Sequence, residues 1–246
     1  MKRFFTQQVT DGVACVTGGE AKHISRVLRM EAGDMLILFD GSGADYTGKI
    51  KAVTAEAVEI EILGKREAGN EPRARIHICQ AVIKSDHLDY VVQKCTEMGA
   101  YDFIPFLSER CVKRPDEKSA VKLVERERRI AMEAAKQCGR SRVPGVDGIV
   151  TIRELSACLK EANGLVLLAY EDEKRTQIRQ VLEANPDEKD IYVVIGPEGG
   201  FAKEEADMLK EAGAKVCSLG KLILRSETAG LAAAAMIGYH LMGDGV

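Results

Sequence analysis

The hydrophobic pattern is sharpest at Ile191-Tyr-Val-Val-Ile195, an apolar run that passes directly into Gly196-Pro-Glu-Gly-Gly-Phe201. A short, wholly apolar run rich in β-branched residues predicts a strand buried on both faces, as in a parallel sheet. A helical pattern follows from Lys203 to Glu211. The same arrangement recurs once: Lys215-Val-Cys-Ser-Leu219 reads as a strand, Gly220-Lys-Leu-Ile-Leu-Arg225 as a loop, and a helix opens at Ser226. Open α/β sheets bind ligands at the carboxyl ends of their strands. Two glycine-bearing loops at two such ends, the second carrying Arg225, Glu227 and Thr228, predict a site.

Upstream, the pattern divides near residue 70. Residues 1–70 are β-rich. Strands are predicted at Asp34–Phe39, Tyr46–Val53 and Ala57–Leu63, where Val58, Ile60 and Ile62 alternate with Glu59 and Glu61. One short helix, Glu20–Arg29, interrupts them, and the set suggests a small barrel. Gly64-Lys-Arg-Glu-Ala-Gly-Asn-Glu-Pro72 reads as a linker. From Arg73 strands and helices alternate. Strands are predicted at Ile76–Ile83, Asp102–Leu107, Val146–Val150 and Leu165–Ala169. Helices are predicted at Asp86–Met98, Asp116–Cys138, from the capping box Thr151-Ile-Arg-Glu154, and at Thr176–Ala184. The expected division is a barrel over 1–70 and an α/β domain over 73–246. The last helix, Glu227–Met242, is Ala-rich and apolar around most of its girth. That suits burial within the domain or a dimer interface.

Composition narrows the chemistry. No run among the 246 residues approaches a membrane span, and Met1-Lys-Arg-Phe-Phe-Thr6 lacks the apolar region of a signal peptide, so a cytoplasmic protein is expected. Seven cysteines form no CxxC pair, and the four histidines show no metal-ligand spacing, so no metal is expected. The net charge of -3 conceals a basic segment. Arg110–Arg142 holds 11 Lys and Arg against 5 Asp and Glu, a local net of +6, which leaves -9 elsewhere. Such a helix either faces solvent or meets RNA. The cluster Gln137-Cys-Gly-Arg140-Ser-Arg142 favours RNA.

The glycine loops match neither GxGxxG after a first strand nor GxxxxGK[ST]. The acidic residues around Glu171 and Glu198 oppose a phosphate, and a helix N-terminus offers an anion only about 0.3–1 kcal/mol in return. The predicted pocket therefore suits a neutral or cationic ligand held by backbone groups.

Gly196-Pro-Glu-Gly-Gly-Phe201, taken with Ser218-Leu-Gly-Lys-Leu-Ile-Leu-Arg225-Ser-Glu-Thr-Ala229, resembles the SPOUT superfamily of S-adenosyl-L-methionine-dependent RNA methyltransferases. More narrowly, it resembles the 16S rRNA (uracil-1498-N3)-methyltransferase family. Lys84-Ser-Asp-His-Leu-Asp89 with Gln93–Gly99, Ser108-Glu-Arg110 and Glu133–Arg140 are similar to further blocks of that family. Arg3-Phe-Phe5 and His23–Arg29 resemble its PUA-like barrel. Two departures stand out: Ser226 replaces an expected Thr, and Ala202 an expected capping Ser, which would weaken the helix at Lys203.

The resemblance implies a trefoil-knotted methyltransferase domain after the PUA-like barrel, a homodimer with the last helix in its interface, and 16S rRNA as substrate, free or within the small subunit. It implies a cofactor held by Leu168, Ala169, Tyr170, Gly196, Pro197, Glu198, Gly199, Gly200, Ser218, Leu219, Gly220, Ile223, Leu224 and Arg225. In the reaction it implies, Arg225 faces the negative charge developing on the uracil, and Glu227, or a water it positions, takes the N3 proton. Arg3, Arg26, Arg29, Lys84, Arg110, Lys113, Arg114, Gln137, Arg140 and Arg142 are the expected RNA contacts. The alternatives left open are a catalytically inactive RNA-binding assembly factor and a methyltransferase acting on another RNA position.

Overall fold

The computed structural model describes residues 1–242 apart from 8, 55, 68 and 70, and the backbone alone of Met242. The chain forms two compact units. One comprises Met1–Glu71 with Ala135–Val143, the other Pro72–Ala134 with Pro144–Val246.

In the first unit, β1 (Arg3–Phe5), β2 (Val9–Thr10), β3 (Val13–Thr17), β4 (Met35–Phe39), β5 (Ala44–Val53) and β6 (Ala57–Glu67) form one sheet. Its order is β1-β4-β5-β6-β3-β2. Among the described residues only the β1–β4 pairing of this sheet is parallel. The expected linker is partly strand, because Gly64–Glu67 continue β6 and pair with Ala44–Thr47; residues 68 and 70 lie outside the described ones. Gly48 is required where β5 crosses β6, since a Cβ there would overlap Ile60. The predicted helix at Glu20–Arg29 is instead α1 (Gly18–Lys22) continued by a π-helical turn, His23–Val27. It ends before Arg29, whose φ of 50° is left-handed. Phe4, Ile24, Leu36, Leu38, Ile50, Val58 and Ile60 fill the core.

Residues 135–143 belong to this unit through a buried polar network. The Arg3 guanidinium donates to Asp45 Oδ1 (2.8 Å), Ser141 Oγ (2.7 Å) and the Arg140 carbonyl (2.8 Å), and lies 4.0 Å over the Phe39 ring. Arg140 pairs with Glu71 at 2.6 Å. Burial alone would raise the Asp45 carboxyl, but the bonds from Ser141 and Arg3 outweigh it and hold the group below its usual value.

The second unit is a parallel sheet with helices on both faces. Its strands are β7 (Arg75–Ala81), β8 (Ala100–Leu107), β9 (Gly145–Val146), β10 (Val150–Thr151), β11 (Leu165–Ala169), β12 (Asp190–Ile195) and β13 (Lys215–Cys217). The order is β10-β8-β7-β12-β11-β13, with β9 also on β8. The single strand predicted at Val146–Val150 is thus two short ones, and β13 stops two residues before Leu219. On one face Ile76, Ile78, Val193 and Ile195 pack beneath α2 (Ser85–Glu97), α3 (Glu117–Cys138), α5 (Ile178–Glu183) and α7 (Ser226–Met242). On the other, Cys79, Phe106, Leu168 and Val194 pack beneath α4 (Ile152–Glu161) and α6 (Lys203–Glu211). β12, paired on both sides and covered on both faces, is the buried strand that its sequence predicts. The chain passes from β7 to β8 on one side and later builds β12, β11 and β13 on the other. The switch point therefore lies between β7 and β12.

The missing cap at Ala202 is half replaced. Glu205 Oε2 accepts from the Ala202 N–H (3.0 Å) and from the Ser108 hydroxyl (2.8 Å), while Oε1 accepts from the Glu109 N–H (2.7 Å). One buried carboxylate thereby closes the start of α6 and anchors the loop after β8.

Candidate functional site

At the carboxyl ends of β7, β12, β11 and β13 lies a cavity of about 800 Å³. Its walls are the three loops that follow Ala169, Ile195 and Cys217, together with the first turns of α2 and α7. That volume lies within the range of small-molecule pockets.

The first glycine loop is held from several sides. Gly200 has a φ of 68°, and a Cβ there would overlap the Glu171 carboxylate; one on Gly196 would stand 2.9 Å from the Phe201 ring. The Gly199 carbonyl accepts from Arg110 (3.2 Å), and Glu198 Oε1 from the Lys84 N–H (3.3 Å). The second loop is pinned at Ser218, whose N–H donates to the Thr176 carbonyl (2.8 Å) and whose carbonyl accepts from the Ile178 N–H (3.0 Å). Tyr170 N–H donates to the Cys217 carbonyl (3.2 Å), joining the third loop to β13.

The two glycine loops meet at α7. The Ser226 hydroxyl donates to the Gly196 carbonyl at 2.5 Å and accepts from the Gln80 amide at 2.9 Å. Gln80 also donates to the Ala81 carbonyl (3.1 Å), which leaves its buried Oε1 with no hydrogen-bond partner. Arg225 projects into the open with 82% of its side chain exposed, 4.0 Å from the Glu227 carboxylate, which is only 13% exposed. His87 Nδ1 lies 3.7 Å from Glu227 Oε2, and neither atom has a hydrogen-bond partner.

Glu171, Asp172, Glu173, Glu198 and Glu227 give the walls more carboxylates than Lys84, Lys174, Lys221 and Arg225 supply cations. Burial, then the charge of Asp172, raises the Tyr170 phenol, so it stays neutral. The field suits a ligand carrying positive charge.

Twelve of the fourteen residues expected to hold a cofactor line this cavity. Leu168 does not: it is wholly buried, paired with Val194 and Val216 within the sheet. Gly199 does not either, because it is turned to Arg110. Arg225 and Glu227 both line it.

The expected RNA contacts fall into two groups. Lys84, Arg110, Lys113 and Arg114 belong to the second unit, on the segments that follow β7 and β8. Lys84 lines the cavity, Lys113 bonds Ser85, and Arg114 donates to the Ser108 and Glu109 carbonyls (2.9 and 2.7 Å). Arg3, Arg26, Arg29, Gln137, Arg140 and Arg142 belong to the first. Of these, Arg26, Arg29 and Gln137 are exposed, whereas Arg3 and Arg140 are engaged in the internal network around Asp45 and Glu71.

Sequence reasoning missed Gln80 and His87. A signal existed for Gln80, a polar residue inside the apolar run Ile76–Ile83. For His87 there was none beyond its place in the quoted block. Among the described residues no group of three or more His, Cys, Asp or Glu could hold a metal, and no helix is long and apolar enough to cross a membrane.

Residues 70–238 match a family model described as an RNA methyltransferase domain, and residues 16–63 one described as an RNA methyltransferase PUA domain. Ribosomal RNA small subunit methyltransferase E of Bacillus subtilis (strain 168) is 32% identical, over 99% of this chain and 100% of its own. The enzyme of that name from Aquifex aeolicus is 31% identical, over 93% and 95%. The crystal structure of a ribosomal RNA small subunit methyltransferase E from Neisseria gonorrhoeae bound to S-adenosyl methionine superposes with a TM-score of 0.83. It is 31% identical and covers 96% of each chain.

Proposed function

The chain belongs to the RNA methyltransferase family that includes the ribosomal RNA small subunit methyltransferases E, and we propose that it methylates N3 of a uridine in 16S rRNA using S-adenosyl-L-methionine. The observation that carries the reading is the cavity at the switch point, closed by two glycine loops and walled by carboxylates.

The residues present fit that cofactor. The cradle at Gly200 admits no side chain, and the carboxylates of Glu171, Asp172, Glu173 and Glu198 match its positive charge. Ala169, Tyr170, Gly196, Pro197, Ser218, Leu219, Gly220, Ile223 and Leu224 would hold it. When bound it supplies a methyl group on a positively charged sulfur.

Uracil N3 carries a proton and attacks carbon poorly until that proton leaves. Arg225, unburied and loosely paired, is free to swing over the uracil and stabilise the charge that deprotonation leaves. Glu227, beside it, would take part in removing that proton. Lys84, Arg110, Lys113 and Arg114 would take phosphates near this cavity, and Arg26, Arg29 and Gln137 would do so on the first unit.

Two features of assembly belong to the same reading. After β13, at the sheet edge, the chain returns so that α7 packs on α2, α5 and β12; this return would be the pass that ties the knot. Tyr239 and Met236 are exposed on α7 and would meet a second copy in a homodimer. An rRNA substrate places the enzyme in the cytoplasm.

The test is incubation with methyl-labelled S-adenosyl-L-methionine and either bare 16S rRNA or small subunits, followed by mass mapping of the RNA. One added methyl on the base of a single uridine is expected. A methyl on ribose, or on no nucleotide, overturns the proposal.

A further inference from the structure

His87, on the first turn of α2, and Glu227, on the first turn of α7, face one another across one wall of the cavity. Nδ1 and Oε2 are 3.7 Å apart, both shielded from solvent and both without a hydrogen-bond partner. Shielded polar atoms left unpaired destabilise the fold, so the pair calls for an explanation. This pair lies about half an ångström outside hydrogen-bond range, and catalytic hydrogen bonds commonly tighten only when substrate binds.

Resting on the methylation reading above, we propose that His87 is the base that removes the N3 proton of the target uridine, with Glu227 holding its imidazole. Glu227 Oε2 accepts the proton on Nδ1, which fixes the tautomer and leaves the lone pair on Nε2. The groups facing the ring are few: Asp86 Oδ2, 3.9 Å from Nε2 on an exposed side chain; Glu227; and Arg225, 4.0 Å from the other oxygen of Glu227. Lys84 and Glu198 stand at the same end of α2.

Imidazole is the commonest general base, and with Nδ1 held by Glu227 its Nε2 is left to take the N3 proton. The N3–H bond breaks, its proton goes to Nε2, and its electron pair stays on N3. That pair forms the N3–C bond to the methyl carbon as the C–S bond breaks and sulfur keeps those electrons. The imidazolium, offset meanwhile by Glu227, returns its proton to water.

The experiment pairs two readouts. Nitrogen-15 NMR of the His87 ring, without cofactor, should show the proton on Nδ1 in the wild type and a mixture of tautomers in Glu227→Gln. In turnover, His87→Asn keeps a donor for Glu227 but has no base. Its kcat should fall by ~10²–10⁴-fold, with cofactor and RNA affinities unchanged, and added imidazole should restore part of the rate in His87→Ala. The proposal is overturned if the proton resides on Nε2, or if His87→Asn turns over at the wild-type rate. A wild-type protein that leaves uridine N3 unmethylated sinks the functional reading instead, and the tautomer measurement then judges the His87–Glu227 couple by itself.

Discussion

The Ser226 hydroxyl donates to the Gly196 carbonyl at 2.5 Å, across 30 residues of sequence. The start of α7 is thereby fixed to the loop after β12, and Gln80 locks the hydroxyl from behind. Replacing Ser226 by Ala leaves the Gln80 amide and the Gly196 carbonyl short of a partner. Such a loss costs about 1–3 kcal/mol. Chemical denaturation of Ser226→Ala should show a loss of that size, and calorimetry a weaker grip on S-adenosyl-L-methionine. Ser226→Thr keeps the hydroxyl and should behave as wild type.

Arg225 is the opposite kind of residue. It holds nothing in place, with 82% of its side chain exposed and its one carboxylate neighbour at 4.0 Å. Arg225→Ala should therefore leave the unfolding midpoint and cofactor affinity unchanged while lowering kcat by about 10²-fold or more, the scale of losing one preorganised charge-stabilising donor. Steady-state turnover with saturating RNA is the check. Wild-type kcat in this variant would remove Arg225 from the chemistry.

These two side chains mark what could be read in advance. The β12 run and the two glycine loops were legible because their signals are local: an unbroken apolar strand, then glycine and proline. The loops do come together at one cavity. Strands β1, β2 and β3 were not located, since segments of two to five residues give alternation too little length to register. Gly64–Glu67 looked like linker by composition, yet pairing with Ala44–Thr47 makes it strand. Arg3 and Arg140 looked like phosphate contacts, but their partners Asp45 and Glu71 lie 42 and 69 residues away. Their acceptors emerge only when the chain is folded. Gln80 and His87 were missed for the same reason, since each matters through α7.

Glu127, on α3, has 1% of its surface exposed, and neither carboxylate oxygen has a hydrogen-bond partner, nor has Asp89 Oδ1 beside it. Burial, then the neighbouring Asp89, pushes its carboxyl up to about 8. A proton there would let Glu127 donate to Asp89. The folded chain holds that proton up to about pH 8, whereas the unfolded chain releases it near the ordinary carboxyl value of 4.5. Stability therefore declines as pH rises between those values. Glu127→Gln keeps the shape without the proton, so it should match wild type near pH 4 and exceed it at pH 8, by on the order of a few kcal/mol. Denaturant titrations at the two pH values test this; equal stability at pH 8 would remove Glu127 as the cause.

His77 bends stability the same way with pH, but through favourable pairing of its charged form rather than through burial of a carboxyl. It lies in β7, stacked on Tyr192 with ring centroids 4.2 Å apart. Nδ1 lies 2.9 Å from Asp102, and Nε2 3.0 Å from Asp190, which Arg75 also grips at 2.5 Å. Burial opposes charge on the ring, but the bonds to Asp102 and Asp190 outweigh it and raise the imidazole above 6.5. A raised folded value means stability that is complete below the unfolded value and lost as pH climbs through the folded one. Asp190, drawn down to about 2 chiefly by its bond from Arg75, contributes stability that fades only as pH falls from about 4 towards 2. The unfolding midpoint of the wild type should therefore drop on the alkaline side of pH 6.5. In His77→Asn that drop should shrink, leaving the slope due to Glu127, and below pH 6 the variant should be the less stable of the two. Thermal scans from pH 5 to pH 9 of wild type, His77→Asn, Glu127→Gln and the double variant separate the two groups. An alkaline slope in the double variant equal to that of wild type would mean that neither group sets it.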